Sequence, residues 1–401
     1  MKKKLRFLFN SNGIYLLLAI VIVYANGSWI YIEQNKIFNI IIIGLLIVYI
    51  TLLSSKRGIS FPSLLILAIM ILISVSSVLN AYRINFVSYV YTLILIFLVS
   101  MIPKDQTSKI LEASAKILML LIIIAIPVYF ILTFTPAKSI FAISDTLFGS
   151  YYNFGIYTHR IEFTLRSQSI FWEPGAWAVN QAFCMYWYIY IKKEYRYFLL
   201  FIVSFIITGS TTGLILLMIV AIELLFNNSF GRHNKNRMIA VIFILIGVFS
   251  ISYLVFPEMS RIANLYFENA ITKFRINTPA RESYDVRLGT LSKSIEYAND
   301  NPIFGIGKTA FEFVTSTIAD ILYQFGYIFT VVYIMLFFFG FPGMKKIFRF
   351  FYILALLYGE AMSFFALSVL VINYGSMNIF PTSRLRRAHK KYEQEANLSE
   401  T

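Results

Sequence analysis

Long apolar runs separated by short polar segments make up most of the chain. A membrane-crossing helix needs roughly 20 mostly apolar residues, and several stretches come near that length. They are residues 14–32, 37–53, 61–79, 84–102, 117–134, 174–191, 238–256 and 318–341. The pattern predicts an all-α, polytopic membrane protein in which residues 1–401 form one integral membrane domain.

Polar residues interrupt two further apolar regions, 197–226 and 348–372. The first contains "TGSTTG" at 208–213, and the second contains Gly359 and Glu360 near its middle. Lys and Arg in short loops favour the cytoplasmic side. If each region is a pair of short helices, the chain makes about twelve spans and most basic loops become cytoplasmic. One long helix over 197–226 would instead place the basic segment "GRHNKNR" outside.

The twelve-span arrangement puts both termini in the cytoplasm, including the basic tail 382–401. The chain is 58% hydrophobic and 14% charged, whereas soluble domains carry about 25% charged residues. The net charge of +15 is then a topology signal, with anchoring to anionic inner-leaflet lipid, and does not indicate nucleic acid. We expect a multi-pass protein of a bacterial inner membrane.

Few cysteine functions are open to this chain. Cys184 is its single cysteine, which excludes an internal disulfide framework and a multi-cysteine metal site.

No small-residue cleavage site follows the basic start "MKKKLRFLFN" and its apolar run. We therefore expect a retained first span and no cleaved signal peptide.

Two large segments lie on the outer face in this topology: a first periplasmic loop, 135–173, and a second, 257–317. The first ends in a charged stretch with candidate site residues His159, Arg160, Arg166 and Glu173. Pro174 suits the first turn of a helix, so Glu173 is expected at a helix N-terminus at the outer membrane surface.

Two interpretations of this charged stretch stay open. Glu173 can complement the helix dipole while the arginines contact lipid phosphates. Alternatively the group forms a functional site, because ionisable residues at membrane depth are mostly functional.

The second outer segment carries as many acidic as basic residues and is long enough to escape the positive-inside bias. Its arginines therefore suit a polyanion. "NPIFGIGK" joins a helix stop to glycines that permit close backbone approach, but it lacks the P-loop spacing. Asp320 can cap the following helix or pair with an arginine. The substrate-binding candidates here are Arg281, Asn301, Gly305, Gly307 and Asp320, with Arg287 as a catalytic candidate.

Several chemistries are excluded by the residues of the outer segments. They contain no DxD pair, no HExxH and no GxSxG elbow, so we expect neither a catalytic metal nor a cofactor. Guanidinium groups and carboxylates remain. Arginine binds diphosphate bidentately and stays charged, and a carboxylate such as Glu173 can take the proton of an attacking hydroxyl. Group transfer from a lipid diphosphate fits these residues.

Four motifs follow one another in an order that resembles the one in a known family. "RSQSIFWEPGAWA", "TGSTTG", "RLGTLSKSIEYANDNPIFGIG" and "IADILYQFGYIF" follow one another in a way that is similar to Wzy-type O-antigen polymerases, within the superfamily that includes O-antigen ligases. The resemblance covers roughly residues 150–340. It implies a GT-C-like architecture and a metal-independent glycosyltransferase that joins polyprenyl-diphosphate-linked oligosaccharide units on the periplasmic face.

The resemblance also implies roles and partners. Arg166 and Glu173 take the first-loop positions, and Arg287 with 301–307 the second-loop positions. The partners would be an undecaprenyl-diphosphate-linked donor and acceptor, membrane lipid and a chain-length regulator. The alternatives are a ligase-type glycan transferase and a lipid-linked oligosaccharide flippase or other transporter. Residues 257–317 contain no histidine, which counts against a ligase, and the charges gathered outside the spans count against a flippase.

Overall fold

The protein is mostly helical. The computed structural model describes residues 11–28, 35–53, 86–134, 143–146, 149–153, 157–160, 166–226, 279–303, 305, 316–359 and 366–379. Its helices are α1 Ser11–Ala25, α2 Asn35–Leu53, α3 Phe86–Ser100, α4 Lys104–Phe134, α5 Pro174–Tyr186, α6 Phe198–Thr208, α7 Thr211–Phe226, α8 Pro279–Asp300, α9 Thr317–Gly340, α10 Lys346–Gly359 and α11 Ala366–Ile379. The expected spans 61–79 and 238–256 and the tail 382–401 lie outside the described residues.

Helical structure extends beyond the expected bounds in places. The helix expected at 117–134 begins at Lys104, and α5 continues into a π-helical turn, Trp187–Ile191. Within the described part of the chain, two helices are long and apolar enough to cross a membrane, Asp105–Thr133 and Thr317–Gly340.

A small antiparallel sheet interrupts the helical pattern. It consists of β1 Ile143–Thr146, β2 Gly149–Asn153 and β3 Thr158–Arg160, in that order across the sheet. Ile143 pairs with Tyr152, and Tyr151 pairs with Arg160. This sheet was not expected, and it makes part of the first outer segment a folded element.

One end of the helical bundle, here called the basic end, gathers lysines from separate parts of the chain. Glu112 near the start of α4 bonds Lys192 after α5 at 2.8 Å. Lys345 before α10 donates its Nζ to the carbonyl of Phe226, the last residue of α7, at 2.9 Å. Lys109 lies over the ring of Tyr15 in α1, 5.7 Å from its centroid. The start of α1, the start of α4, the end of α7 and the start of α10 therefore share one end.

The opposite end of the bundle is here called the arginine end, because Arg166 lies there. Its contacts join the end of α1, the start of α5 and the end of α6. Asn26, just after α1, donates to Asn180 near the start of α5 at 2.7 Å. Gln181 donates to Thr208 at the end of α6 at 2.9 Å. Successive helices α4, α5, α6 and α7 therefore run in alternating directions, as closely spaced membrane spans do.

The region 197–226 is a helical hairpin, as the "TGSTTG" break predicts. α6 ends at Thr208, and Gly209 takes a left-handed conformation with φ 59°. Its N–H donates to the carbonyls of Phe205 and Ile206, which is a common way for a helix to end at glycine. α7 begins at Thr211 and returns toward the basic end, so the chain reverses direction within two residues.

A kink divides α9, which had been expected as a continuous span. Gly326 has φ 72° and ψ −173° inside the helix. The turn after α8 packs into this kink, where the N–H of Tyr327 donates to the carbonyl of Pro302 at 2.9 Å. A Cβ on Gly326 would lie 2.7 Å from that carbonyl oxygen. Glycine is required here both for its backbone angle and for the close approach.

Candidate active site

The stretch between Arg166 and Glu173 enters the protein interior at the arginine end. Ser167, Gln168 and Ile170 have no exposed surface. The N–H of Ser167 donates to the carbonyl of Ile207 in α6 at 2.8 Å, and Phe171 bridges to Ser28 after α1. The segment is therefore fixed between the first helix and the α6–α7 hairpin, with its charged residues at its two ends.

Arg166 is partly buried at the end of α6. Its Nε donates to the carbonyl of Thr208, the last residue of that helix, at 3.3 Å. The carbonyl end of a helix carries partial negative charge, so it stabilises a cation at that position. The bond fixes the plane of the guanidinium beside the turn at 209–213.

Arg287, from the other outer segment, lies at a matching position. Its Nη1 donates at 2.6 Å to the carbonyl of Gly359, the last residue of α10. Gly359 packs against Thr212, since a Cβ on the glycine would lie 2.5 Å from the Thr212 Cγ2. Arg166 and Arg287 are therefore both held by helix C-termini that border the 209–213 turn.

Glu173 lies where the sequence predicts, at the N-terminus of α5. It is the N-cap residue with an extended backbone, Pro174 takes the first helical position, and the Glu173 carbonyl accepts from the N–H of Trp177 at 3.2 Å. Its side chain makes no capping hydrogen bond. Since Ala178 in the same helix borders Gly213, Glu173 shares the arginine end with the turn.

The candidates from "NPIFGIGK" belong to a second group, around the α9 kink. The N–H of Gly305 donates to the carbonyl of Asn301 at 2.9 Å. Gly305 has φ 60°, and a Cβ there would lie 2.5 Å from backbone atoms of Gln324 and Phe325. The expected close backbone approach is present for Gly305, but its partner is α9. The contacts of Asn301 and Gly305 support a structural role.

Asp320 lies in the first turn of α9 and accepts a hydrogen bond from the side chain of Gln324. Ser316, and not Asp320, is the N-cap, accepting from the N–H of Ala319 at 3.4 Å. The capping alternative for Asp320 is therefore wrong in its strict form, although its charge still suits the helix N-terminus.

The remaining candidates are described only in part. His159 and Arg160 lie in β3, and Arg281 lies in the first turns of α8, with side chains outside the described structure. Gly307 lies outside the described residues altogether. Among the side chains the structure describes, no group of three His, Cys, Asp or Glu residues could hold a metal ion.

Uncharged polar residues around the site were missed by the sequence interpretation. Gln168, Ser169, Gln181 and Ser204 are almost completely buried next to the arginine end. Among the residues that the structure describes, each has at least one side-chain oxygen or nitrogen for which no hydrogen-bond partner is found. In the sequence they are polar residues inside apolar runs, and their burial follows from the packing of the helices, which the spacing alone does not predict.

Comparison with models of protein families, with curated proteins and with solved structures finds no match for this chain. Two arginines and a carboxylate at one end of a helical bundle are the features that bear on function. Such an arrangement can bind a dianionic group and accept a proton.

Proposed function

We propose that the protein is a surface-polysaccharide polymerase of the bacterial inner membrane. It joins polyprenyl-diphosphate-linked oligosaccharide units on the periplasmic face, without a metal ion. One oligosaccharide leaves its lipid diphosphate and is transferred to a sugar hydroxyl of a second lipid-linked unit.

The alternation of the helices supports a multi-span topology of about twelve spans. The basic end holds lysines at three separate chain reversals, Lys109, Lys192 and Lys345. The positive-inside bias favours such a distribution for the cytoplasmic side. Helix surfaces also expose large apolar side chains; Leu120, Ile123 and Ile131 on α4 are 50 to 55% exposed. Such rows of exposed apolar groups suit contact with lipid and not with water.

The observation that carries the proposal is the position of Arg166 and Arg287. They come from separate outer segments, yet helix C-terminal carbonyls hold both beside the 209–213 turn. A guanidinium keeps its charge and offers a planar set of donors, so two of them can bind the oxygens of a diphosphate. An arginine pair stabilises the diphosphate as it leaves, which is the task that a divalent cation performs in metal-dependent enzymes.

The proposed reaction transfers the donor oligosaccharide from its lipid diphosphate to the acceptor hydroxyl. The acceptor hydroxyl oxygen forms a bond to the anomeric carbon of the donor sugar, and the bond from that carbon to the diphosphate oxygen breaks. Glu173 takes the hydroxyl proton, and the bonding electrons leave with the diphosphate, which Arg166 and Arg287 stabilise. Glu173 suits the role because its carboxylate is not engaged in a capping hydrogen bond.

A transporter is the alternative from a different class. Its signature would be ionisable groups within the spans, and Glu223 is the buried carboxylate described there. Glu223 accepts from the hydroxyl of Tyr190 at 2.6 Å and from the N–H of Lys345 at 2.5 Å. The carboxylate thus fixes the start of α10 at the basic end. These contacts explain Glu223 as a structural residue and favour the enzyme.

Purified protein in liposomes, supplied with one lipid-linked repeat unit, separates the possibilities. A ladder of lipid-linked products differing by one repeat unit supports the polymerase. Translocation of the substrate without larger products would support the flippase and overturn the proposal. Transfer only to a different acceptor lipid would indicate a ligase-type transferase.

A further inference from the structure

The helix α8 is too polar to cross a membrane, yet one of its sides is buried against the bundle. Seven of its 22 residues are charged, four acidic and three basic. On the buried side, Ala298 has no exposed surface and Ser294 is almost completely buried. The Ser294 hydroxyl donates to the carbonyl of Thr290 in the same helix at 2.8 Å, which satisfies it there. The surroundings of the other sides depend on how α8 lies relative to the spans.

The helices α9 and α10 determine the orientation of α8. Both leave the basic end together, because Arg349 in the first turn of α10 donates to the carbonyl of Phe338 near the end of α9 at 3.4 Å. From there α10 runs for 14 residues to Gly359, and the part of α9 between the basic end and the kink, 327–340, has the same length. At a rise of 1.5 Å per residue, each covers roughly 20 Å. Gly359 and the kink at Gly326 therefore lie at similar heights, at the arginine end.

Two points of α8 contact these two places. In its first half, Arg287 donates to the carbonyl of Gly359 at 2.6 Å. At its end, Asn299 accepts from the hydroxyl of Tyr327 at 2.7 Å, and the carbonyl of Pro302 accepts from the N–H of Tyr327. About 18 Å of helix separates Arg287 from Asn299. The helix therefore lies across the arginine end, transverse to α9 and α10 and parallel to the plane of a surrounding membrane.

Large apolar side chains are exposed along one flank of α8. Leu288 and Ile295 are 40% and 41% exposed. They share one side of the helix with Asn299, since the spacings of seven and four residues bring side chains onto the same face. These three residues are here called the Leu288 flank. The side opposite the buried one carries exposed polar residues, Ser292 and Glu296. The helix is therefore buried below, apolar at this flank and polar above.

The Leu288 flank is continuous with an exposed apolar row on α9. Asn299 joins the two through its bond to Tyr327. Ile328, Val331 and Met335 follow along α9 and are 53 to 58% exposed. Within the described part of the chain, α9 is one of two helices long and apolar enough to cross a membrane, and an exposed apolar row on such a helix suits lipid. Lipid in contact with this row reaches the Leu288 flank at the arginine end.

We propose that α8 is an interfacial helix whose Leu288 flank lies in the lipid leaflet at the arginine end. Helices of this kind lie in the plane of the interface, with apolar side chains at the boundary between headgroups and acyl chains and polar ones in water. The partner is the lipid surface itself. Because the acidic and basic residues of α8 nearly balance, the contact depends on apolar area and does not require anionic lipid.

The depth of α8 also bears on the candidate active site. Relying on the proposed function, a helix at the interface holds Arg287 at the level of the lipid phosphates. The diphosphate of a lipid-linked sugar lies at that level while its polyprenyl chain stays in the bilayer. The second outer segment thereby presents its guanidinium to the substrate from the membrane surface.

The test measures the accessibility of single spin-labelled cysteines in a Cys184→Ala background, in phosphatidylcholine liposomes. Oxygen concentrates among acyl chains and a water-soluble nickel chelate stays outside, so the ratio of their collision rates distinguishes lipid from water. Labels at Leu288→Cys and Ile295→Cys are expected to give a ratio severalfold higher than labels at Ser292→Cys and Glu296→Cys. The ratios should not change when phosphatidylglycerol is added.

Ile328→Cys, on the exposed row of α9, is the reference for a label in lipid and should give a ratio similar to that of Leu288→Cys. Collisions dominated by nickel at both flank positions would place α8 above the membrane. Protection from both reagents would show that protein, such as a second copy of the chain, covers the flank. Either result would overturn the interfacial helix and leave the polymerase proposal intact.

The two proposals fail in different ways. A lipid-like ratio at the Leu288 flank, without a product ladder in liposomes supplied with the lipid-linked repeat unit, would contradict only the polymerase. A low ratio at Ile328→Cys would contradict the lipid-facing position of α9, from which the interfacial helix is argued.

Discussion

Glu173 combines the backbone position of a helix N-cap with a side chain that does not cap. Its extended backbone and Pro174 begin α5, so the helix start does not depend on a hydrogen bond from the carboxylate. The charge still lies at the positive end of the helix dipole, which contributes about 0.3–1 kcal/mol at such positions. A structural role and a catalytic role therefore predict different results for a change that removes only the charge.

Glu173→Gln is expected to insert and fold normally while losing roughly 10²- to 10⁴-fold in the rate of chain extension, the range for removing a general base. The measurement is the initial rate in liposomes, corrected for the amount of folded protein. Glu112→Gln, which removes a carboxylate at the basic end, is the control and should keep full activity. Near-normal extension by Glu173→Gln would leave the residue a role in the helix dipole alone.

Arg166 and Arg287 allow a second test at the residue scale. Lysine keeps the charge but lacks the planar set of donors, so Arg166→Lys and Arg287→Lys should extend chains at least about tenfold more slowly if these residues bind diphosphate. Arg349→Lys is a matched control, because Arg349 also donates to backbone carbonyls, those of Phe338 in α9 and of Met344 in the connection before α10. Equal loss of specific activity in all three variants would indicate that the arginines act only through stability.

At the scale of elements, two glycines hold the turn after α8 against the kink of α9. Gly305 and Gly326 have φ 60° and 72°, and a Cβ on either would approach backbone atoms within 2.7 Å. We expect Gly305→Ala and Gly326→Ala to lower the free energy of unfolding by at least about 1–3 kcal/mol each, the usual size of such backbone strain.

The measurement for these variants is the midpoint of thermal unfolding in detergent. Gly44→Ala is the control, because nothing lies within 4 Å of a Cβ placed there; it should not lower the midpoint. Unchanged midpoints for Gly305→Ala and Gly326→Ala would show that the turn 301–305 is not packed into the kink.

The helices and strands also show which parts of the fold can be predicted from sequence patterns. The hairpin at 197–226 was predictable, because polar residues and glycines interrupt an apolar run and the basic segment after it constrains the direction. The kink at Gly326 was not, because one glycine in an apolar run is compatible with a straight helix. The strands of three to five residues are too short for an alternating pattern to be distinguished from a loop.

The site was predictable for its charged residues and not for its neutral ones. An arginine or glutamate in an apolar chain is conspicuous because placing its charge in lipid is energetically unfavourable. Pro174 predicted that Glu173 lies at the start of a helix. Gln168 and Gln181 differ from Asn180 only in their partners. Those partners depend on how α5, α6 and the segment 166–172 pack, which residue spacing does not determine.

For the molecule as a whole, the proposed chemistry needs no divalent cation. Its leaving group is stabilised by two guanidinium groups, which bind diphosphate by charge-assisted hydrogen bonds. We therefore expect chain extension to continue at a similar rate in excess EDTA, measured as the product ladder in liposomes. Loss of the ladder on chelation, with recovery on adding Mg²⁺ or Mn²⁺, would contradict the roles of Arg166 and Arg287.

The central claim is that the arginine end faces the periplasm and the basic end faces the cytoplasm. Single cysteines at Thr211 and Arg196, both exposed and at opposite ends of α6 and its hairpin, test it directly in a Cys184→Ala background. Native Cys184 is fully buried, so its removal leaves only the introduced thiols to react.

The measurement is labelling by a membrane-impermeant maleimide in intact spheroplasts and after permeabilisation. Thr211→Cys is expected to react in intact spheroplasts, and Arg196→Cys only after permeabilisation. Labelling of Arg196→Cys in intact spheroplasts, with Thr211→Cys protected, would place the candidate site on the cytoplasmic side and contradict the proposed periplasmic polymerase.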